Sequence, residues 1–449
     1  MKIITRINLT IAIAFSLFLI NTSYAQEEGP SSRLEIEEII VTGTKRDIGQ
    51  QDAAIAVSAI TEQAFANQNA NDPRAIASLV PNVTLTLQPA FNAVAGGIRG
   101  TGSISILVTE DPSVAFLVDD FGLNHVQSQF IEMFDIEQIE VYRGPQGTLF
   151  GKNATGGVIS VTTKKPVLDE WSGEFSAMAG QYDWNEGSIN KFKLALNAPI
   201  VEGKIAMRVA AIWDKSQGFY TNSKPAGDFP GPIVLNPAAA WPDDGTSLSN
   251  VGDGGDLGGK DVLAAKVKLL FEPNASYSGH LIFEISKDDS GSPPTVNETD
   301  CPGGQLFCLL GFPGIHTPSP NWGGEKWSNP YATGESYHCN SVIAICKGHR
   351  MDSKGIYFNQ TFAIGDNYTL KSITGYRNHE ERNASTYTGE AFASLYDASR
   401  NTERDQMQQE FRLTSEFDGP FNFTAGVSYA EDNLNFAAYA AVGLQWFLG

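Results

Sequence analysis

The segment from Ile139 to Pro166 reads IEVYRGPQGTLFGKNATGGVISVTTKKP. Two apolar, strand-like pieces, IEVY and GVISVTT, flank a glycine-rich core that contains Lys152. A Walker A phosphate loop needs GxxxxGK followed by Ser or Thr, and it opens a helix. Here only three residues separate Gly147 from Gly151, Asn153 follows the lysine, and a β-like run comes next. The segment therefore argues against a nucleotide site, and we expect its glycines to serve tight turns and close backbone approach.

The composition describes a folded, acidic chain. Of 449 residues, 42% are apolar and 18% charged, which is too apolar for disorder. A net charge of −20 argues against nucleic acid as a partner, because phosphate backbones demand a basic face. Simple solubility also accounts for an acidic surface.

The N-terminus has the order of a secretory signal. Lys2 and Arg6 precede an apolar run, Ile7–Ile20, and the small-residue sequence SYA ends at Ala25. This order predicts a signal peptide over residues 1–25. The alternative is a permanent N-terminal anchor.

The cysteines agree with export. Cys301 and Cys308 lie seven residues apart, as do Cys339 and Cys346, within a Gly/Pro-rich region. The spacing does not match a zinc motif, although metal binding is the rival interpretation. We expect two local disulfides, Cys301–Cys308 and Cys339–Cys346.

The length and hydropathy pattern of the predicted segments change at Pro166. Before it, short segments predict a small α+β domain with one helix over residues 71–80 and strands such as VTLTL, VAFLVDD and IEVY. The acidic pair Asp119–Asp120 is expected to form a turn beside Gly122 rather than a catalytic carboxylate pair.

After Pro166, segments of about ten residues alternate apolar and polar side chains. Nine such segments can be named, with a possible tenth in LNFAAYAAVGLQWF. Short connections alternate with two long loops, 217–260 and 288–352. This pattern predicts an outer-membrane β-barrel, and a soluble β-sandwich with long loops is the alternative.

Four segments carry a resemblance to a known family. The stretch DIEQIEVYRGPQGTLFGKNATGGVISVTTKKP resembles the plug-domain signature of TonB-dependent outer-membrane receptors. Three further segments resemble the TonB box with its sequel, an Ile-Arg-Gly plug strand and a recurrent barrel strand: IEEIIVTGTKR (36–46), GGIRG (96–100) and QQEFRLTS (408–415). The positions that match the plug motif are Gly144, Pro145, Gly147, Gly151, Asn153, Gly156 and Gly157.

The resemblance implies a mainly β protein, a small α+β plug followed by an incomplete antiparallel transmembrane β-barrel of about nine or ten strands. The implied domains are a signal peptide (1–25), a periplasmic segment with the TonB box (26–46), the plug (47–166) and the N-terminal portion of the barrel (167–449). The last region is too short for about 22 strands. We therefore expect a truncated receptor that does not transport alone. A smaller closed barrel is the alternative.

The resemblance also implies a coupling segment that the periplasmic partner TonB captures by strand addition. Its alternative is an ordinary first strand of the plug. The predicted TonB box comprises Ile36, Glu37, Glu38, Ile39, Ile40, Val41 and Thr42.

Two plug arginines are expected to lock the plug into the barrel. Arg99 and Arg143 each sit in or beside an apolar strand, and a buried guanidinium needs carboxylate partners. By resemblance they pair with glutamates of the inner wall, for which Glu410 is the candidate. The alternative is that either arginine lines a wet interface.

No catalytic, cofactor or metal motif occurs in the sequence, so an enzyme is not expected. The resemblance implies an energised uptake receptor in the outer membrane of a Gram-negative bacterium, in contact with lipid and TonB. Its expected ligand is an iron–siderophore complex, with glycans or a cobalamin as alternatives. A passive or structural outer-membrane β-protein, such as an adhesin or a non-transporting remnant, is the other function class.

Overall fold

A mixed group of small sheets comes first in the chain, and a single large antiparallel sheet follows it. All described residues lie in one compact unit. The computed structural model describes residues 40–42, 45–46, 48–68, 71–88, 93–103, 107–129, 131–182, 187–217, 220–222, 256–257, 259–290, 328–329, 349–386 and 396–442.

The plug is organised around a five-stranded sheet in the order β3-β9-β10-β7-β8. Its strands are β3 Val57–Thr61, β7 Val114–Val118, β8 Phe121–Leu123, β9 Ile136–Arg143 and β10 Gly157–Thr163. β7 and β10 pair in parallel, and the other neighbours are antiparallel. The opening segment thus supplies β10 and most of β9, two of the three interior strands of this sheet. Its β-branched residues Ile139, Val141, Val158 and Ile159 are fully buried, as this pairing demands.

Smaller elements complete the plug. They are β1 Ile40–Val41 with β2 Ile48–Gly49, and a sheet of β4 Val83–Gln88, β5 Ala93–Ile98 and β6 Thr101–Ser103. The helices are α1 Glu62–Ala66, α2 Arg74–Leu79 and α3 Gly147–Phe150. The helix predicted over residues 71–80 is therefore α2, shortened because Pro73 occupies the N-cap position. The sequence missed α1, which Thr61 caps by accepting a hydrogen bond from the Ala64 amide at 3.4 Å.

The large sheet, called the wall below, has nine described strands that follow one another in chain order. They are β11 Ser172–Gln181, β12 Ser188–Val201, β13 Ile205–Ser216, β16 Lys260–Asn274, β17 Tyr277–Asp288, β19 His349–Ile364, β20 Tyr368–Thr386, β21 Tyr396–Ser415 and β22 Thr424–Val442. All nine named segments are strands. The possible tenth is wrong, since its described part, Leu434–Val442, continues β22 without a turn. Within the described chain, the edge strands β11 and β22 are not paired with each other.

Each wall strand has two chemically different faces. On β13 the buried residues Ala206, Arg208 and Ala210 alternate with residues of the outer face, where Trp213 is 37% exposed. The inner face packs on the plug, because Ile282 and Tyr357 join the plug's apolar core. Across the described part of the chain, none of the helices is both long and apolar enough to cross a membrane.

Several predictions fall on residues outside the described ranges. They include the four cysteines and most of the loops 217–260 and 288–352. In these loops the structure describes only three short strands that pair with each other: β14 Tyr220–Asn222, β15 Asp256–Leu257 and β18 Ser328–Asn329.

Candidate functional site at the plug–wall interface

The end of the predicted TonB box is packed on the plug. Ile40 and Val41 pair with Gly49 and Ile48, and the Val41 side chain is fully buried. The carbonyl oxygen of Ile40 accepts a hydrogen bond from Gln138 Nε2 at 2.9 Å. Residues 36–39 lie outside the described ranges.

Thr42 is held by a buried carboxylate. Glu140, 1% exposed, accepts hydrogen bonds from the backbone amide and the hydroxyl of Thr42, both at 2.8 Å. It also accepts from Gln138 Nε2 at 2.8 Å and from the Tyr142 hydroxyl. Burial, followed by the nearby Glu140 charge, raises the pKa of Tyr142, so that its hydroxyl stays protonated and able to donate. Neutral donors thus stabilise this carboxylate, and half of the four hydrogen bonds come from Thr42.

The next two described residues continue the contact toward the wall. Lys45 Nζ lies 4.1 Å from the centroid of the Phe150 ring and 3.9 Å from the Asp120 carboxylate. Burial lowers the pKa of Lys45, and Asp120 opposes that shift. Arg46 donates to the carbonyl oxygen of Phe423 at 2.6 Å, at the start of β22. The chain that follows the predicted TonB box is therefore tied to both the plug and the wall.

The structure does not bring the predicted lock together. The Glu410 carboxylate accepts from Arg412 of its own strand at 2.5 Å, since residues two apart share a face of β21. Arg99 is exposed and sits in a turn with φ 54°, and Arg143 Nε is buried without a hydrogen-bond partner. Within the described ranges neither arginine forms an ion pair.

Other charges join plug and wall instead. Asp135, at the start of β9, lies 2.5 Å from Arg208 of β13 and 3.2 Å from Lys268 of β16. Their side chains are 3%, 9% and 0% exposed, so this is a buried cluster. The sequence held a signal for it, because IAMRVAAI places one cation, and KVKLLF places two, on the inward face of an apolar strand.

A second cluster joins the plug to β21 and β22. The His125 ring lies 2.6 Å from the Asp432 carboxylate, and Arg404 donates to the same carboxylate at 2.7 Å. Arg404 also donates to the carbonyl oxygen of Val108 at 2.6 Å. Burial lowers the pKa of His125, and the hydrogen bond to Asp432 opposes that shift.

Glu132 lies beside the end of β13 and the start of β16, which adjoin the long loop 217–260. We call these the loop-bearing ends of the wall strands. The Glu132 carboxylate is 3.8 Å from Lys260, which also lies 3.5 Å from Asp214. Burial raises the pKa of Glu132 to about 7, while Lys260 opposes the shift. This group therefore titrates near neutral pH.

The glycine-rich motif supplies backbone geometry. Gly151 has φ 75°, and an added Cβ at Gly156 would lie 2.5 Å from the Thr101 carbonyl oxygen. Asn153, with φ 69°, donates its side-chain amide to Asn124 O at 3.2 Å. At Gly147 neither a positive φ nor a close contact requires glycine, because its φ is negative and the space around an added Cβ is open. Pro145 lies between β9 and α3.

A cavity of about 360 Å³ separates α3 and the loop after it from β21 and β22. Lys45, Phe150, Glu410 and Arg412 are among its lining residues. Over the described ranges, no group of three or more His, Cys, Asp or Glu side chains is arranged to hold a metal ion.

A small α+β domain seated on one face of a large antiparallel sheet is a defined architecture, and the comparisons agree with it. Residues 49–158 match the family model TonB-dependent Receptor Plug Domain. This domain is a TonB-dependent receptor plug. The structural relatives share the plug-and-wall fold, including the crystal structure of the ferric yersiniabactin uptake receptor FyuA from Yersinia pestis, with a TM-score of 0.61 and 16% identity over 87% of this chain and 50% of that one.

The sequence relatives are receptors as well. The chain is 28% identical over 237 residues to the ferric enterobactin receptor of Pseudomonas aeruginosa, covering 48% of this chain and 31% of that one. It is 27% identical over 203 residues to the probable TonB-dependent siderophore receptor PirA of Acinetobacter baumannii, covering 42% and 26%. The matched part spans less than a third of these two relatives and half of the FyuA structure.

Proposed function

We propose that this chain forms the plug and adjoining wall of an outer-membrane receptor that takes up a scarce ligand, and that it is not an enzyme. The observation that carries the proposal is the plug docked on the inner face of the wall by the buried cluster of Asp135, Arg208 and Lys268. A domain held in this way obstructs passage along the wall, and such a passage opens only when work is done on the plug.

The ligand that the relatives favour is an iron–siderophore complex. One relative carries ferric enterobactin in its name and another the word siderophore. We extend that ligand class to this chain as part of the proposal.

The work would come from TonB acting on residues 36–42. The segment suits strand addition, since Ile40 and Val41 already pair with β2 in the antiparallel manner. TonB would compete with β2, Gln138 and Glu140 for this short piece of chain.

Uptake by cells tests the proposal. The protein is expressed in an iron-starved Gram-negative strain without its own siderophore receptors, and a panel of radiolabelled ferric siderophores is offered, with cobalamin and oligosaccharides alongside. We expect outer-membrane fractionation and binding of one ferric siderophore by this chain. Accumulation is expected only in a version that completes the barrel, and there it should disappear in an otherwise identical strain lacking TonB. Binding and accumulation of none of these ligands would favour a passive β-protein and overturn the proposal.

A further inference from the structure

The turn between β7 and β8 is held by three neighbouring strands of the wall. We propose that this turn, together with the first two residues of β8 (Asp119–Gly122), is the fixed point of the plug, which stays bound to β19, β20 and β21 while other parts of the plug rearrange. Its role during transport rests on the proposed function, whereas the attachment itself does not.

The backbone of the turn is paired with side-chain amides of the wall. Asn359 of β19 donates to the carbonyl oxygen of Asp119 at 2.9 Å. Gln408 of β21 donates to the carbonyl oxygen of Asp120 at 3.2 Å and accepts from the amide of Gly122 at 3.0 Å. Turn groups commonly bond to water, so pairing them with protein amides fixes the turn at one place on the wall.

An aromatic ring fills a notch in the wall beside these hydrogen bonds. Phe121 is 1% exposed, and its ring centroid lies 4.7 Å from that of Tyr357 of β19. Gly375 of β20 forms the floor, where an added Cβ would lie 2.7 Å from Phe121 Cε2. Gln406 of β21 donates to the carbonyl oxygen of Gly122 and closes the site. The glycine is required here because the ring occupies the space of a side chain.

The conformation of the turn is unusual, and the plug supports it. Asp119 and Asp120 have φ 50° and φ 70°, the left-handed region that a tight hairpin needs and that Asn-Gly usually fills. The Asp119 carboxylate accepts from the amide of Thr163 at 2.8 Å and from its hydroxyl at 2.6 Å. Thr163 ends β10, so the turn is tied to the last strand of the plug as well as to the wall.

Besides the apolar packing of Ile282 and Tyr357, the plug–wall contacts described above include two that depend on charge. Asp135 pairs with Arg208, and His125 lies against Asp432. Ionic contacts in a buried interface weaken when water enters or when a partner changes its protonation state. The Asp120 carboxylate of the turn also lies 3.9 Å from Lys45 and 3.9 Å from Arg412, but the neutral amides and the ring in its notch do not respond to water or protonation in this way. The neutral attachment is therefore the contact that persists when the charged ones open.

Hydrogen exchange of the full chain in detergent micelles over a urea series tests the proposal without a ligand or TonB. We expect peptides covering residues 116–123 to keep their protection at urea concentrations at which peptides covering 57–61 and 131–136 have lost theirs. Loss of protection at 116–123 together with or before those peptides would overturn the proposal.

Substitutions that change the side-chain volume in the notch give a second test. In Gly375→Ala we expect exchange at Phe121 and Gly122 to accelerate about fivefold for each hydrogen bond lost. Gly180→Ala is the matched control, a strand glycine whose added Cβ would meet only Ile189 at 3.9 Å. Adding Phe121→Ala to Gly375→Ala should recover part of the protection, which a general defect of folding would not show. Unchanged exchange in Gly375→Ala, or no recovery in the double variant, would contradict the proposal.

These measurements separate this inference from the proposed function. A chain that binds no siderophore can still keep its turn fixed, and a chain that transports can still lose it first.

Discussion

Asp135 shows how one residue can set the position of a domain. It has φ 56°, lies 3% exposed, and faces two cations from different wall strands. Removing three charged groups from water is costly, so such a cluster contributes little net stability compared with an apolar contact. Once it is formed, however, no member can be removed without leaving buried charge behind. The cluster therefore specifies where the plug sits more than it strengthens the fold.

Asp135→Asn should weaken the plug–wall interface by about 3–5 kcal/mol, because it leaves Arg208 and Lys268 buried without an anion. Asn tolerates the left-handed backbone, so the change tests charge rather than strain. The measurement is the urea midpoint at which the plug loses its structure.

Asp111→Asn is the control for that experiment. Its pair with Lys152 is about half exposed on both sides, and exposed pairs contribute at most about 1 kcal/mol. Equal effects of the two substitutions would contradict a positional role for Asp135.

Glu132 predicts a dependence of stability on pH. Its pKa rises from 4.5 to about 7 in the folded protein, so the folded state holds the proton more tightly than the unfolded state. The contribution of Glu132 to the free energy of unfolding is fully present below its unfolded pKa of 4.5. It is lost as pH rises through about 7, which lowers the free energy of unfolding by about 3 kcal/mol in total. Urea midpoints of the plug between about pH 5 and pH 8 should fall accordingly.

Glu132→Gln should remove that dependence, since it cannot ionise, while Glu110→Gln at an exposed position should preserve it. A slope that survives in Glu132→Gln would assign the pH response to another group.

At the scale of elements, strands were easier to predict from sequence than their partners. Alternation located all nine wall strands, because the two faces of most of them differ in polarity, although β11 is exposed on both faces. It underestimated β21, whose residues 400–405 carry polar side chains on both faces. It also divided β22, because polar residues in its middle resembled a turn.

The contacts of the candidate site depend on register, which a single sequence does not contain. The sequence shows both Glu410 and Arg412, but only their position on the same face of β21 shows that they form an ion pair with each other. Asp135 and Arg208 are 73 residues apart, and nothing local indicates that they meet. Thr42 and Glu140 likewise approach only after β1 has paired with β2.

In a full-length version of the receptor, Val41→Pro should abolish uptake while ligand binding persists, if residues 36–42 are the coupling segment. Proline removes the backbone donor that strand addition uses. Val41→Ile keeps the donor and the branched shape and should retain uptake. Parallel assays of siderophore binding and accumulation measure the difference. Accumulation in Val41→Pro cells would show that coupling lies elsewhere in the chain.

At the scale of the whole molecule, the wall separates two environments. Its inner face carries charges that meet the plug, whereas its outer face presents large apolar side chains along most strands, including Phe192, Trp213, Phe283 and Phe411. Phe192 and Trp213 stack with centroids 5.4 Å apart. An outer face of this kind is suited to lipid.

Phe411→Lys should destabilise the protein in lipid vesicles by up to about 2–4 kcal/mol, because a charge would face hydrocarbon. Glu403→Lys, at an exposed position eight residues nearer the loop-bearing end of the same strand, should change stability little. Folding free energies in vesicles of one lipid composition provide the comparison. A similar small effect of both would place Phe411 outside the bilayer.

The parallel pairing of β7 with β10 has a consequence for the order in which the polypeptide acquires structure. Consecutive wall strands pair with the next strand along the chain, so they can zip up one hairpin at a time. The plug cannot do so, since Val114–Val118 waits for residues 157–161, and Val57–Thr61 waits for residues 138–142. Pairing of strands that lie far apart in the sequence requires a long loop to close, and the loss of chain entropy on closure makes this step slow. If the chain is exported, as the proposed function requires, the early half of the plug remains without its sheet until residue 163 has emerged. For that time it depends on whatever shields unfolded chains in the compartment that it enters.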